Sequence, residues 1–319
     1  MQTNSDDTRS TARSERTGRS GREGGAAKRG SARGGGRGGS APKVKLYLEG
    51  RYRKLVRDLP QTVLFCPECK GHPRRKRTCE RCEGFGTLAK ESVQQLVAWV
   101  AGKAFGTRKN KFHGAGREDI DVRMLGRGRP FVLELENPKS FDVDLAAVEA
   151  EINRRNEGRL EIVGLHHSEK PRVAEIKETP HAKRYAALVE CEEPVDAAEV
   201  EALIGERRIV CQRTPQRVAH RRADLERERW IEFVAARACD EHREGAASPS
   251  RHFVIELDTQ HGTYVKEALS GEDGATEPSL SGLLGTPCRC VELDVLEILG
   301  AEGEAPVVRE RPPEFGAGI

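Results

Sequence analysis

Apolar positions recur along this chain with two spacings, one helical and one alternating, and the two divide it into elements. Ser92 precedes Val93, Leu96, Val97, Val100, Ala104 and Phe105 at helical spacing, and Gln95 completes a capping box with it, which predicts a helix over 92–105. Leu145, Val148 and Ile152 mark a second helix that ends near Gly158, and Asp196 with Glu199 opens a third through Val200, Leu203 and Ile204. Alternation predicts strands over 131–136, 160–165, 185–191, 209–212, 231–238, 253–258 and 290–299. Many strands with interspersed helices imply an α+β domain, a largely antiparallel sheet flanked by helices.

One stretch carries more charge than an ordinary strand. If Gly116 to Arg123 is extended, Arg117, Asp119, Asp121 and Arg123 share one side while Glu118, Ile120 and Val122 share the other. Each acid on such a face needs a base if the face is buried, because an unpaired buried carboxylate is costly. In solvent the same run is an ordinary charge-balanced face.

Composition then separates the ends from the middle. Residues 1–42 are Gly, Ser, Arg and Ala with almost no large apolar residue, so a disordered basic tail is expected there. The overall charge of +3 hides this asymmetry: residues 1–45 hold eleven Lys and Arg against four acidic residues. The segment Ala32 to Gly39 resembles the Arg-Gly-Gly runs that track nucleic-acid backbones, although a solubilising tail has the same composition. Residues 301–319, rich in Pro and Gly, read as a flexible terminus. With 33% charged residues and no apolar run long enough to span a bilayer, a soluble protein without membrane contact is expected. The N-terminus shows no secretory signal, so the cytoplasm and reduced cysteines are expected.

Four of the nine cysteines have metal-ligand spacing. Cys66-Pro67-Glu68-Cys69 and Cys79-Glu80-Arg81-Cys82 are two knuckles separated by nine residues, each followed two positions on by Gly71 or Gly84. Four thiolates so placed close on one tetrahedral zinc ion, leaving no open coordination position, which makes the site structural. Metal binding supplies folding energy to a segment too short for its own core, and the basic loop His72 to Arg77 is then held ready for phosphate contacts. A module presented to a protein partner is the alternative for these knuckles. The expected organisation is a tail over 1–42, a zinc-knuckle module over 43–90, the main α+β domain over 91–300 and a terminus over 301–319.

Three blocks make the reading specific. They are His113-Gly114-Ala115-Gly116-Arg117-Glu118-Asp119 running on to Gly126; Gln212-Arg213-Thr214-Pro215 with Arg217-Val218 and His220-Arg221-Arg222-Ala223-Asp224; and Thr259-Gln260-His261-Gly262-Thr263-Tyr264-Val265-Lys266-Glu267. In order and content, over about 62–300, the chain resembles the archaeal and eukaryotic family of tRNA pseudouridine synthases that modify positions 54 and 55 of the T-arm. The resemblance implies a pseudouridine-synthase-type fold. It also implies an isomerase that breaks the uridine N1–C1′ bond, turns the base and rejoins it through C5, with tRNA as partner and no organic cofactor; a monomer is expected.

The family's Gly-Arg-x-Asp motif places its aspartate on Asp119, with Asp121 a chemical competitor. A carboxylate suits this reaction either by covalent attachment or by stabilising positive charge at C1′. The resemblance puts the basic partner of that carboxylate on Lys266, the active-site tyrosine on Tyr185 and an apolar wall beneath the base on Leu283. Arg117 would position the motif, and Arg213, Arg217, Arg221 and Arg222 form a basic cluster suited to RNA phosphates. Two departures stand out. The Gly/Arg tail occupies the place of the family's RNA-binding THUMP-type domain, and Ala275 stands where the family pattern has an arginine. A non-catalytic zinc-containing RNA-binding protein that keeps the fold is the alternative reading.

Overall fold

The computed structural model of the chain describes residues 44–219, 222–240, 243–244 and 248–300, all within the second of the two units into which the chain divides, Pro42–Ile319. The expected tails over 1–42 and 301–319, and Arg221 of the expected basic cluster, lie outside the described residues. The strands are β1 (Lys45–Lys54), β2 (Asn110–Gly114), β3 (Arg123–Glu136), β4 (Leu160–Ser168), β5 (Lys183–Val195), β6 (Arg207–Arg213), β7 (Glu226–Asp240), β8 (Arg243–Glu244), β9 (Ser250–Thr259), β10 (Thr276–Glu277) and β11 (Cys288–Ile298). The helices are α1 (Val93–Ala104), α2 (Leu145–Arg155), α3 (Lys170–Glu178), α4 (Ala197–Glu201), α5 (Gln216–Ala219), α6 (Val265–Ser270) and α7 (Leu280–Leu284).

Among the described residues the strands form one sheet in the order β10-β6-β7-β9-β5-β11-β3-β1-β4, with β2 on β3 and β8 on β7. Neighbours are antiparallel except at one place: Asp294 and Val295 of β11 face Arg123 and Met124 of β3 in parallel register. Two antiparallel halves are thus joined by a short parallel contact, because β3 uses one edge twice, its first residues for β11 and its last for β2. The expected α+β class and mainly antiparallel sheet hold. Strand alternation sets the core, with Leu48, Tyr52 and Lys54 on one face of β1 all fully buried.

The helices cover the sheet where the sequence pattern is strongest. Ser92 Oγ accepts from the Gln95 amide at 3.2 Å and donates to the Gln95 side-chain oxygen at 2.8 Å, so the expected pair caps α1, through the serine hydroxyl rather than the reciprocal backbone bond of a full capping box. Val93, Val97, Val100 and Ala101 turn that helix's apolar stripe inward, each valine contributing roughly 1.5–3 kcal/mol by burial. The box expected at Asp196 does not form: its carboxylate accepts from Ser248 at 2.5 Å instead, and α4 is a single short turn.

Two expectations change. The run 116–123 is a turn and not a strand, since Gly116 has a φ of +82° and the Val122 amide returns to the Asp119 carbonyl at 3.2 Å. The cause lies outside the run: a Cβ at Gly116 would lie 3.0 Å from Nη1 of Arg129 on β3, so the chain passes close over a buried guanidinium there. The four-charge face therefore does not exist; Glu118 and Val122 are buried while Arg117 and Asp121 are exposed. Second, β1 lies inside the stretch 43–90 expected as the metal module, yet it is an inner strand between β3 and β4, so that module narrows to the cysteine-rich segment that follows. No helix among the described residues is long and apolar enough to cross a membrane.

Candidate active site and cysteine cluster

The turn bearing Asp119 is held from below by buried side chains of β1 and the segment after it. Lys54, with no exposed surface, donates from Nζ to the carbonyls of Leu59 at 2.9 Å and of Asp119 and Ile120 at 3.1 Å each. Arg57 donates to the Asp121 carbonyl at 2.8 Å, and Gln61 to the Gly116 carbonyl at 3.0 Å. Glu118, next to Asp119, is buried against Arg129 at 2.8 Å and accepts from the Tyr52 hydroxyl at 2.8 Å. Arg129 in turn donates to the Ala115 carbonyl at 2.7 Å. Backbone carbonyls that a turn leaves unpaired are thus satisfied by charged donors, which fixes the direction in which Asp119 leaves the backbone. Burial lowers the Lys54 pKa to about 8 against the upward pull of Glu118 and Asp121.

Two ion pairs cross from this turn to α5 and α6. Arg217 Nη1 lies 2.6 Å from Asp119 Oδ2 while its Nε and Nη2 bind Glu267 at 2.5 and 3.1 Å. Lys266 Nζ lies 2.6 Å from Asp121 Oδ2. The cation resting on Asp119 is therefore Arg217, expected as a phosphate contact, and the lysine expected there rests on its neighbour. Burial opposes the charge of Arg217, but Glu267 and Asp119 outweigh it and hold its pKa above the ordinary value. Burial likewise works to raise the Asp121 pKa, but the bond and charge of Lys266, with a backbone amide and the charge of Lys54, together leave it below the ordinary value.

Tyr185 sits on β5, its ring partly buried against the core and its hydroxyl without a hydrogen bond among the described residues. Burial pushes its pKa up to about 12, with Arg129 acting downward and Glu118 and Asp119 upward, so it stands within the field of the Asp119 turn. Leu283 on α7 is 36% exposed. It lines a cleft of about 930 Å³ with Ser270, Gly271, Pro278 and Thr286, and Asp119, Tyr185 and Lys266 are not among that cleft's walls. Arg213 forms a two-pronged pair with Asp224 at 2.9 and 2.6 Å, which takes it out of the expected free cluster. Arg117 and Arg222 are exposed with no side-chain partner among the described residues. Holding the motif thus falls to Lys54, Arg57 and Glu118 rather than to Arg117. The signal for Lys54 was present in the sequence: it shares strand parity with Leu48 and Tyr52, which makes it an inward-facing cation.

The four cysteine sulfurs Cys66, Cys69, Cys79 and Cys82 lie within 4.8 Å of one another, as four ligands of one metal ion must. They are also the whole buried core of their segment: Cys66, Cys69 and Cys82 are buried, Cys79 packs on them, and no other apolar side chain joins the cluster. Backbone amides of Cys69 and Glu68, opposed by burial, hold the Cys66 thiol down at about 7, while burial raises the thiols of Cys69 and Cys79, the latter to about 12. The donor set fits a metal, and without one these thiols have little reason to converge.

A half-buried, cation-paired aspartate on a clamped turn, within the field of a tyrosine with a free hydroxyl, is equipped to attack or to stabilise positive charge, and to exchange a proton. The family model for the C-terminal part of Pus10 matches residues 47–299. The chain belongs to the Pus10 C-terminal family. Among its relatives, the tRNA pseudouridine synthase Pus10 of Methanocaldococcus jannaschii is 44% identical over 255 residues, 79% of this chain and 53% of that protein. The Pus10 of Methanothermobacter marburgensis is 44% identical over 258 residues, 79% of this chain and 60% of that protein. That of Halorubrum lacusprofundi is 42% identical over 261 residues, 80% of this chain and 58% of that protein. This chain spans a little over half the length of these Pus10 proteins. The Pus10 match takes in the cysteine cluster, the Asp119 turn and both ion pairs.

Proposed function

We propose that this chain isomerises uridine to pseudouridine in tRNA, at position 54, position 55 or both of the T-arm, with Asp119 as the catalytic carboxylate. Membership of the Pus10 C-terminal family supports the reaction. The observation that carries the assignment of Asp119 is its turn, whose carbonyls are gripped by Lys54 and Arg57 and whose carboxylate faces Arg217 at 2.6 Å.

The reaction moves one bond and one proton. The N1–C1′ bond breaks, the base turns, C5 bonds to C1′, and the C5 proton departs while N1 gains one. Asp119 serves as nucleophile at C1′ or as counter-charge to it, and either role needs the carboxylate ionised, which Arg217 favours. Tyr185 offers a ring face to the extruded base and a hydroxyl for the proton. Lys266 supplies the second cation, Leu283 is an apolar contact for the base or its neighbour, and Arg117 and Arg222 are free to meet phosphates. The cysteine cluster would hold zinc, whose part is to fold its segment and not to enter the reaction. No organic cofactor is required.

The test is tritium release from C5-labelled uridine in an unmodified tRNA transcript. The chain should release tritium, and Asp119→Asn should abolish release while binding tRNA with unchanged affinity. Release undiminished in Asp119→Asn would remove Asp119 from the chemistry, and absence of release from the unaltered chain would leave an RNA-binding protein on this fold.

A further inference from the structure

Among the described residues most arginines are spent on the chain's own carboxylates, as Arg129, Arg184, Arg213 and Arg217 illustrate. Arg117 and Arg222 are left without such a partner, and the cysteine-held segment gathers several cations of that kind in one short run. Lys70, Arg74, Arg75, Lys76 and Arg77 make no side-chain ion pair among the described residues, and all but Lys76 are exposed. Its nearest acidic side chain in sequence, Glu68, is turned to Arg81 and the Cys79 sulfur.

Beside these cations stand two phenylalanines in an unusual place. Phe85 is 70% exposed and Phe65 57%, a pair in one short segment, whereas Phe105, Phe131, Phe233 and Phe253 are buried to 2% or less and Phe141, at 55%, stands apart from them in sequence. Neither is loose. The Phe85 amide is bonded to the Cys82 carbonyl at 2.8 Å within the second knuckle. The Phe65 ring lies so close to Gly71 that a Cβ there would meet it at 2.7 Å, and Gly86 packs on Gly71 and the Lys76 stem from the other side. Gly71, with φ +69°, and Gly86 are therefore small so that ring, knuckle and basic loop come together.

Resting on the pseudouridine synthase reading, we propose that this cysteine-held lobe is a contact surface for unpaired RNA, with Phe85 and Phe65 stacking on bases and Arg74, Arg75 and Arg77 neutralising phosphates. Sequence-tolerant binding of single strands combines these two ingredients, an electropositive track and aromatic faces. The charge argues for RNA over a protein partner. Unpaired exposed cations following one another on a small lobe match a regular row of phosphates, whose neutralisation releases counterions. Preordering by the cysteine cluster lowers the entropy cost when the rings meet bases.

The experiment measures fluorescence anisotropy of the full metal-loaded chain with unmodified tRNA transcript and with a single-stranded oligoribonucleotide across a salt series. Phe85→Ala should weaken single-strand binding about 5- to 10-fold with the salt slope unchanged. Arg74→Gln/Arg75→Gln/Arg77→Gln should lower the salt slope by about 2, near 0.7 for each phosphate no longer neutralised. Arg108→Gln/Lys170→Gln, exposed cations elsewhere, should leave both readouts at the unaltered value. Metal content and far-ultraviolet dichroism equal to the unaltered chain confirm that the lobe is intact in each variant. Lobe variants that bind with unaltered affinity and slope, in a chain that binds tRNA and releases tritium, overturn this inference alone and leave the surface to a protein partner. An equal loss in the control variant overturns it as well, as a general charge effect. A chain that neither binds tRNA nor releases tritium overturns the functional reading beneath it.

Discussion

Replacing Lys54 by Met tests how much the Asp119 turn depends on one buried ammonium. Methionine keeps the apolar stem and volume and removes the donors to the Leu59, Asp119 and Ile120 carbonyls at 2.9, 3.1 and 3.1 Å. Three bonds from a charged donor contribute roughly 1.5–3 kcal/mol each. Against them stands the burial that lowers the amine from 10.5 to about 8, a cost of about 3.4 kcal/mol at 1.36 kcal/mol per pH unit. The balance leaves Lys54→Met roughly 1–6 kcal/mol less stable at pH 7 by urea denaturation. Because the turn bears the proposed catalytic carboxylate and Lys54 is shielded from RNA, kcat for tritium release should fall on the order of 100-fold with KM nearly unchanged, the usual consequence of a reacting group displaced by about 1 Å. The pH dependence has a definite sign. Between about 8 and 10.5 the unfolded chain holds this proton and the folded chain does not, so the unaltered protein gains stability over Lys54→Met as pH rises through that window and loses it again below about 8. A stability difference that is flat or shrinks from pH 7 to 9.5, or a variant with native kcat, would refute the clamp as argued.

Two further outcomes follow from the same geometry. Glu118→Gln leaves Arg129 buried at 1% exposure without its counter-charge and should cost about 3–5 kcal/mol in chemical denaturation, whereas a loss under 1 kcal/mol would mean that Tyr52 and the Ala115 carbonyl suffice. Removing metal with a chelator, or substituting Cys82→Ser, should release one metal ion per chain and open 62–90 to protease while the sheet keeps its thermal transition, because cysteines alone form that lobe's buried core; coincident loss of the sheet would show the two to be one cooperative unit.

How far the sequence could be read depends on the range over which each feature is determined. The cysteine cluster and the start of α1 were legible because each is a spaced motif of residues with few other uses, two Cys-x-x-Cys knuckles from Cys66 to Cys82 and the Ser92–Gln95 cap. The Asp119 turn was misread as a strand because its acids and bases alternate by chance of composition, while the force that bends it comes from Lys54 and Arg129, one supplied by β1 and one by β3. Arg217 read as an RNA contact for a similar reason. Its partners are 98 residues away at Asp119 and 50 away at Glu267, and a row of arginines in sequence does not show which of them are already taken. Arg213 is a milder case, since Asp224 is only 11 residues on. Tyr185 owed its place to resemblance rather than to its alternating neighbours, which any core strand would share.

The competition between Asp119 and Asp121, left open by chemistry alone, is narrowed by what stands behind each pair. Successive residues of α6 govern both: Lys266 reaches Asp121 directly, and Glu267 fixes Arg217, which reaches Asp119. The first is a rim pair, with Asp121 50% exposed, of the kind that contributes about 0–1 kcal/mol and weakens with salt. The second is anchored. Glu267 is 6% exposed and holds Arg217 by two bonds, so the guanidinium cannot leave Asp119 for solvent without also abandoning a buried carboxylate. A group that must stay ionised through bond breaking and re-formation needs a counter-charge that does not wander, and of these two only Asp119 has one. Lys266, tied to a single exposed partner, is by the same reasoning the mobile cation of the two, and under the proposed function it is the one free to exchange Asp121 for a phosphate or for the reacting base.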